Sequence, residues 1–207
     1  MSVLVLSPDR DTPGRHDYRG AFQPEADAFI ARHGGTLVRI DQGQAQAGRF
    51  RQTLAAIEEH QPDTLIYFGH GLRRSLPQLG AGLGNVASLA AALALGSTGP
   101  LVVLYACSAA DGVAPGGEGG YCDALRDALC NAEATGCRVI GHSSAGHTSR
   151  NPYVREFTSA TALGGTWLVA PGSTRWRAWS KGLQGPLRLE FPFLSAAELA
   201  ARLDTPS

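Results

Sequence analysis

Leu65 to Gly71 reads LIYFGHG, a short apolar run that stops at a histidine held between two glycines. A run of this length, rich in branched and aromatic side chains, predicts a strand buried on both faces, as in parallel sheets. It puts the titratable ring of His70 at the strand's carboxyl end. A second run of the same kind, Leu101 to Tyr105 in LVVLYACSAADG, ends two residues before Cys107. The fold and the chemistry turn on whether these two strands are neighbours.

Working outward, short apolar runs alternate with helical patterns, which predicts a mostly parallel sheet with helices on both faces. Val3 to Leu6, Thr36 to Ile40 and Arg138 to Ile140 read as further strands, and Thr166 to Val169 as a sixth. Helices are predicted over Glu25 to His33, stopped by Gly34 and Gly35, and over Phe50 to His60, stopped by Pro62. Val86 to Leu95 and Tyr121 to Ala134 follow, then Ser195 to Leu203, where Ser195 and Glu198 have the spacing of a capping box. No repeat or long linker interrupts the series, so the reading is α/β with a six-stranded sheet in a single domain.

Composition narrows the function. The 207 residues carry 18 basic and 18 acidic side chains, and this balance gives no electrostatic reason to seek nucleic acid or an anionic membrane. Lys181 is the sole lysine, and with abundant Ala and Gly this points to a GC-rich bacterial or phage genome. The MSVLVLSPDR start has no basic leader, and its apolar run is too short to span a bilayer, which suggests a cytoplasmic protein. The four cysteines, at 107, 122, 130 and 137, are expected as free thiols. Cys122, Cys130, Cys137, His142 and His147 lack the close pairs of structural zinc sites, so no metal or other cofactor is expected.

Ligands of open parallel sheets sit beyond the carboxyl ends of the strands. If the strands ending near His70 and Cys107 are adjacent, a thiol nucleophile and an imidazole that carries protons near neutral pH meet at one edge. Gly69 and Gly71 allow close backbone approach, and the N–H groups of Gly71 and Cys107 are candidates for an oxyanion hole.

Tyr67-Phe68-Gly69-His70-Gly71, with Leu104-Tyr105-Ala106-Cys107-Ser108, resembles the His-Gly and Ala-Cys motifs of the caspase-like cysteine peptidases, which include caspases, metacaspases, gingipains, clostripain, separases and the CHAT proteases. The similarity runs over about Ser2 to Gly146. It implies a three-layer caspase-like sandwich and a cysteine endopeptidase acting on a protein or peptide substrate, with Cys107 as nucleophile and His70 as proton carrier. Tyr105 stands where caspases carry Gln, two residues before the nucleophile. The resemblance also implies that Ser143 and Ser144 lie in a wall of the substrate groove. By the same resemblance the loop after the first strand supplies pocket candidates Asp9, Arg10 and Asp11: Arg10 inside would favour an acidic residue before the scissile bond, while two acids of three, with Asp111 near Cys107, give a lean to a basic one.

Three other readings stand beside it. A caspase-like domain that binds partners without cutting is the alternative of a different class. Gly141-His142-Ser143-Ser144-Ala145 approaches the nucleophile elbow of serine hydrolases, but the last histidine, His147, is too close downstream to complete their order. The segment TRWRAWSKG is similar to single-strand nucleic-acid platforms, yet in a neutral chain it is expected to be a partly buried loop or strand. Gly112 to Gly120 holds five glycines in nine residues and is expected to be mobile, either as a solvent loop joining strand to helix or, as the resemblance implies, as a groove rim that orders when a peptide docks.

Overall fold

The computed structural model describes residues 2–10, 22–145, 151–161, 163–183 and 190–204; Asp11 and His147 lie outside them. Its centre is a seven-stranded sheet. In chain order the strands are β1 (Val3–Pro8), β2 (Thr36–Ile40), β3 (Thr64–Phe68), β6 (Leu101–Tyr105), β7 (Arg138–His142), β8 (Val154–Thr158) and β9 (Thr166–Trp167), and in space they run β2-β1-β3-β6-β7-β8-β9. A small hairpin of β4 (Ser75–Leu76) and β5 (Ala81–Gly82) stands apart from it. β2, β1, β3, β6 and β7 are parallel, and β8 and β9 close one edge antiparallel.

All five residues of β3 are buried, as the unbroken apolar run requires of a central parallel strand. Helices α2 (Gln46–His60), α3 (Val86–Gly96) and α4 (Tyr121–Asn131) cover one face through Ile57, Leu89, Leu93, Leu125 and Leu129. On the other face α1 (Gln23–His33) and α6 (Ala196–Asp204) bring Phe29, Leu199 and Leu203 against Val5, Ile66, Val103 and Ile140. A short α5 (Thr174–Ala178) precedes Trp179, which is buried in that second core. The three-layer α/β architecture expected from the sequence is therefore present.

The sheet has one strand more than the expected six. Val154–Thr158 was not anticipated, because its pattern mixes buried Val154 and Phe157 with charged Arg155 and Glu156, and the sixth predicted strand shrinks to Thr166–Trp167. The capping box forms as expected: Ser195 Oγ accepts from the Glu198 N–H at 3.2 Å, and Glu198 accepts from the Ser195 N–H at 2.8 Å. Among the described residues, no helix is long and apolar enough to cross a membrane.

Candidate active site

The chain lays β2 on one side of β1 and β3 on the other, so the strand order reverses between β1 and β3, the place beyond whose carboxyl ends open sheets of this class bind their ligands. β3 and β6 are adjacent and in register, Phe68 opposite Tyr105. His70 and Cys107 each lie two residues beyond that pair. Neighbouring strands are roughly 4.8 Å apart, and the two loops remain in contact past the strands: a Cβ on Gly71 would sit 2.5 Å from the Cys107 carbonyl oxygen. Only glycine lets the histidine loop close onto the Cys107 loop in this way.

Both side chains are half-buried. The imidazole of His70 meets the ring of Phe22 edge to face at 4.9 Å. Its main chain is held on both sides: the His70 N–H donates to Gln78 Oε1 at 2.8 Å, and the Tyr67 hydroxyl donates to the His70 carbonyl at 3.0 Å. That hydroxyl occupies the place of a side chain on Gly69, whose Cβ would lie 2.1 Å from it.

After Cys107 the backbone turns sharply, with Ser108 in the left-handed region at φ 54°. Ser108 N–H donates to the Ser144 carbonyl at 3.2 Å and Ala110 N–H to the His142 carbonyl at 2.8 Å, so the Cys107 loop is tied to the end of β7. Cys122 N–H, at the start of α4, donates to the Ala109 carbonyl at 3.0 Å. Burial, helped by neighbouring Asp123, pushes the Cys122 thiol up; burial, with Cys130 beside it, pushes Cys137 up to about 12. Those two cysteines are neutral, inert thiols, and all four are unbridged.

The remaining candidates distribute around this edge. Asp9 follows β1 and accepts the Gln42 N–H at 2.9 Å, while Arg10 lies 3.8 Å from Asp9 and 3.7 Å from Asp41. Asp111 is engaged by Arg73 through Nε at 3.0 Å and Nη2 at 2.8 Å. Ser143 Oγ donates to the Tyr153 carbonyl at 3.3 Å, and Ser144 Oγ bonds Asn151 Oδ1 at 3.1 Å, so both serines brace the β7–β8 connection. Tyr105 is wholly buried, stacked on Phe68 at 4.5 Å, and backs the site from the core.

Three residues that sequence reasoning did not single out complete the surroundings. Arg155, on β8, lies 3.8 Å over the Trp167 ring and donates to the Gly165 carbonyl at 3.1 Å; partial burial lowers its pKa, and Asp111 opposes the drop. Gln78, only 2% exposed, reaches His70 from the segment between β4 and β5. Arg126 pairs with buried Asp123 at 2.6 Å. None belongs to a sequence motif, and a paired cation in a strand with mixed polarity was the one signal available.

The glycine-dense loop is folded upon itself. Val113 N–H donates to Glu118, Gly120 N–H to Gly117, and the Gly116 carbonyl accepts from Gly165 N–H at 2.7 Å. Gly116, Gly117 and Gly119 have positive φ, so here glycine serves left-handed turns and close packing. TRWRAWSKG is helical over Thr174–Ala178 and not the expected loop or strand; Trp179 is buried and Trp176 meets Tyr153 edge to face at 5.2 Å, so its aromatic rings pack within the protein. Among the described residues no three His, Cys, Asp or Glu side chains gather as a metal site requires.

No protein-family model matches the chain, and no curated protein sequence matches it.

Proposed function

We propose that the protein is a caspase-like cysteine endopeptidase with Cys107 as nucleophile and His70 as its proton carrier. The observation that carries this reading is the register of β3 and β6, which sets His70 and Cys107 side by side past the same sheet edge, with Gly71 against the Cys107 carbonyl. In the reaction the Cys107 thiolate attacks the scissile carbonyl and His70 protonates the departing amine; water then hydrolyses the thioester and the thiol is restored. The N–H groups of Gly71 and Cys107 are the proposed donors to the oxyanion.

Charge around the edge is unequal on its two sides. Among the described residues, Asp9 and Asp41 outnumber Arg10 beyond β1 and β2, whereas Arg73 and Arg155 outnumber Asp111 beside the nucleophile loop. This supports a peptide that presents a basic side chain toward β1 and an acidic one toward β8. A positional scanning library checks it: removal of the basic preference by Asp9→Asn is expected, and indifference to charge at every position would remove the idea.

The test of the reaction is labelling with a peptide-based electrophile and cleavage of a diverse peptide library. Cys107→Ala is expected to abolish both, and His70→Ala to slow cleavage on the order of 10²–10⁴-fold. Cys122 and Cys137, held as neutral thiols, should give little background labelling. Equal labelling of Cys107→Ala and wild type overturns the proposal. A folded protein that binds peptides but cuts none would instead be a partner-binding domain.

A further inference from the structure

We propose that Gln78 is a positioning residue for His70, and that the turn carrying it is a mount fixed to α2. This inference rests on the peptidase reading, since it assigns a task to the residues behind His70.

His70 lies beyond the last ladder pair of β3, where strand hydrogen bonds no longer hold the chain. Its two flanking peptide groups are held instead by buried side chains. Gln78 Oε1 accepts the His70 N–H at 2.8 Å and lies 3.4 Å from the Tyr67 hydroxyl, which donates to the His70 carbonyl at 3.0 Å. The direction of the amide follows from this, because an N–H donor needs the oxygen and not the NH₂ of Gln78.

Among the described residues, the Gln78 Nε2 is buried without a hydrogen-bond partner. A buried amide left half-satisfied is costly, and an apolar side chain would fill the space without that cost. A position chosen for packing alone gives no reason to keep the amide, whereas holding His70 does.

The mount is fixed by three consecutive carbonyls. Arg49 donates to the Pro77 carbonyl at 3.2 Å, Gln42 Nε2 to the Gln78 carbonyl at 2.9 Å, and Thr53 to the Leu79 carbonyl at 3.2 Å. Arg49 and Thr53 stand on α2, and Gln42 on the loop before it. Gly80 then presses on the same helix: a Cβ there would meet the Gln46 carbonyl oxygen at 2.2 Å. Backbone of the Pro77–Gly80 turn therefore cannot shift without disturbing α2, and Gln78 transmits that rigidity to the histidine. A displacement of about 1 Å at a catalytic group costs on the order of 10² in rate.

The experiment compares Gln78→Met, Gln78→Glu and Tyr67→Phe with wild type by three readings: thermal unfolding, the ring resonances of His70 by NMR, and the rate of Cys107 labelling by a peptide electrophile across pH. Expected are shifted His70 resonances in all three variants and labelling slowed about 10–100-fold in Gln78→Met. In Gln78→Glu the labelling profile should move to higher pH, because a carboxylate behind the histidine favours the imidazolium. Tyr67→Phe keeps the ring in place and serves if a Gln78 variant does not fold. Folded variants with unchanged His70 resonances and wild-type labelling profiles overturn the inference. Failure of the peptidase reading looks different: Cys107→Ala would then be labelled like wild type, and the NMR reading would still decide whether Gln78 positions His70.

Discussion

The two walls of the candidate site are built by different means. On the histidine wall, side chains hold the backbone: Gln78 and Tyr67 grip His70, and Arg49, Gln42 and Thr53 grip the turn behind it. On the cysteine wall, backbone holds backbone: Ser108, Ala110 and Cys122 N–H groups meet carbonyls of Ser144, His142 and Ala109, and glycines pack against main-chain oxygens. A wall held by side chains can lose its alignment one polar group at a time and remain folded. The cysteine wall concentrates its weak points in two kinds of place: the buried Arg126–Asp123 pair at its base and the positions where a Cβ cannot fit.

The largest expected effect tests the base of the cysteine wall. Arg126 and Asp123 are almost wholly buried on α4; Arg126 also donates to the Thr158 and Thr161 carbonyls, and Asp123 accepts the Gly119 N–H at 2.9 Å. Together they anchor α4 to the glycine loop and to the turn after β8. Arg126→Ala leaves a buried, unpaired carboxylate and is expected to cost roughly 3–5 kcal/mol in urea unfolding. A loss below about 1 kcal/mol, the range of an exposed pair, would show that this anchor does not hold the wall.

Next comes the glycine loop itself. Gly117 has φ 84°, and a Cβ there would lie 2.4 Å from the Ala110 carbonyl oxygen, three residues past Cys107. Gly117→Ala combines left-handed strain with a backbone clash and should destabilise by about 3 kcal/mol. Gly84 has nothing within 4 Å of its would-be Cβ, so Gly84→Ala is the control and should be close to neutral. If the two alanine variants unfold at the same urea concentration, the loop is more yielding than its packing implies.

The unequal construction also explains what was legible in the sequence. β3 and β6 announce themselves because a strand buried on both faces must be continuously apolar, and His70 and Cys107, the residues proposed for the chemistry, could be named from the loops that follow. Gln78 could not. It lies eight residues from His70 in a segment with no period, and its importance comes from a contact that only the folded β4–β5 hairpin creates. β8 escaped because Arg155 and Glu156 are neutralised through space, by the Trp167 face and by Arg138 at 2.6 Å, so its charges disguise a strand. The glycine loop was conspicuous, but composition alone could not separate entropy from close packing. Asp111 stood out as an acid near the nucleophile, while its engagement by Arg73 depended on a residue 38 positions away.

On the histidine wall the same logic predicts a smaller stability loss and a larger functional one. Tyr67→Phe removes one hydrogen bond to the His70 carbonyl and should cost about 1 kcal/mol, less than either cysteine-wall substitution. Peptide cleavage should nevertheless fall by more than that figure alone would give, with most of the loss in kcat and little in KM, because alignment is lost and binding is not. A change confined to KM would mean that Tyr67 shapes the groove and leaves His70 where it was.

The smallest effect on stability is expected where the walls meet. Arg73, three residues past His70, pairs with Asp111, four past Cys107, with side chains 51% and 37% exposed. A pair this open contributes between about 0 and 1 kcal/mol, so Arg73→Ala should barely move the unfolding midpoint. The Arg73 carbonyl still accepts the Tyr121 N–H at 2.8 Å in that variant, which keeps the two loops joined through the main chain. What changes is charge. Loss of Arg73 leaves Asp111 facing Arg155 alone and reduces the positive excess on the β8 side, so cleavage of peptides bearing an acidic residue toward that side should weaken through KM. Because both partners are solvent-exposed, added salt should narrow the gap between Arg73→Ala and wild type. A gap that is unchanged by salt, or that appears in kcat, would show that Arg73 aligns the two walls and does more than set the charge between them.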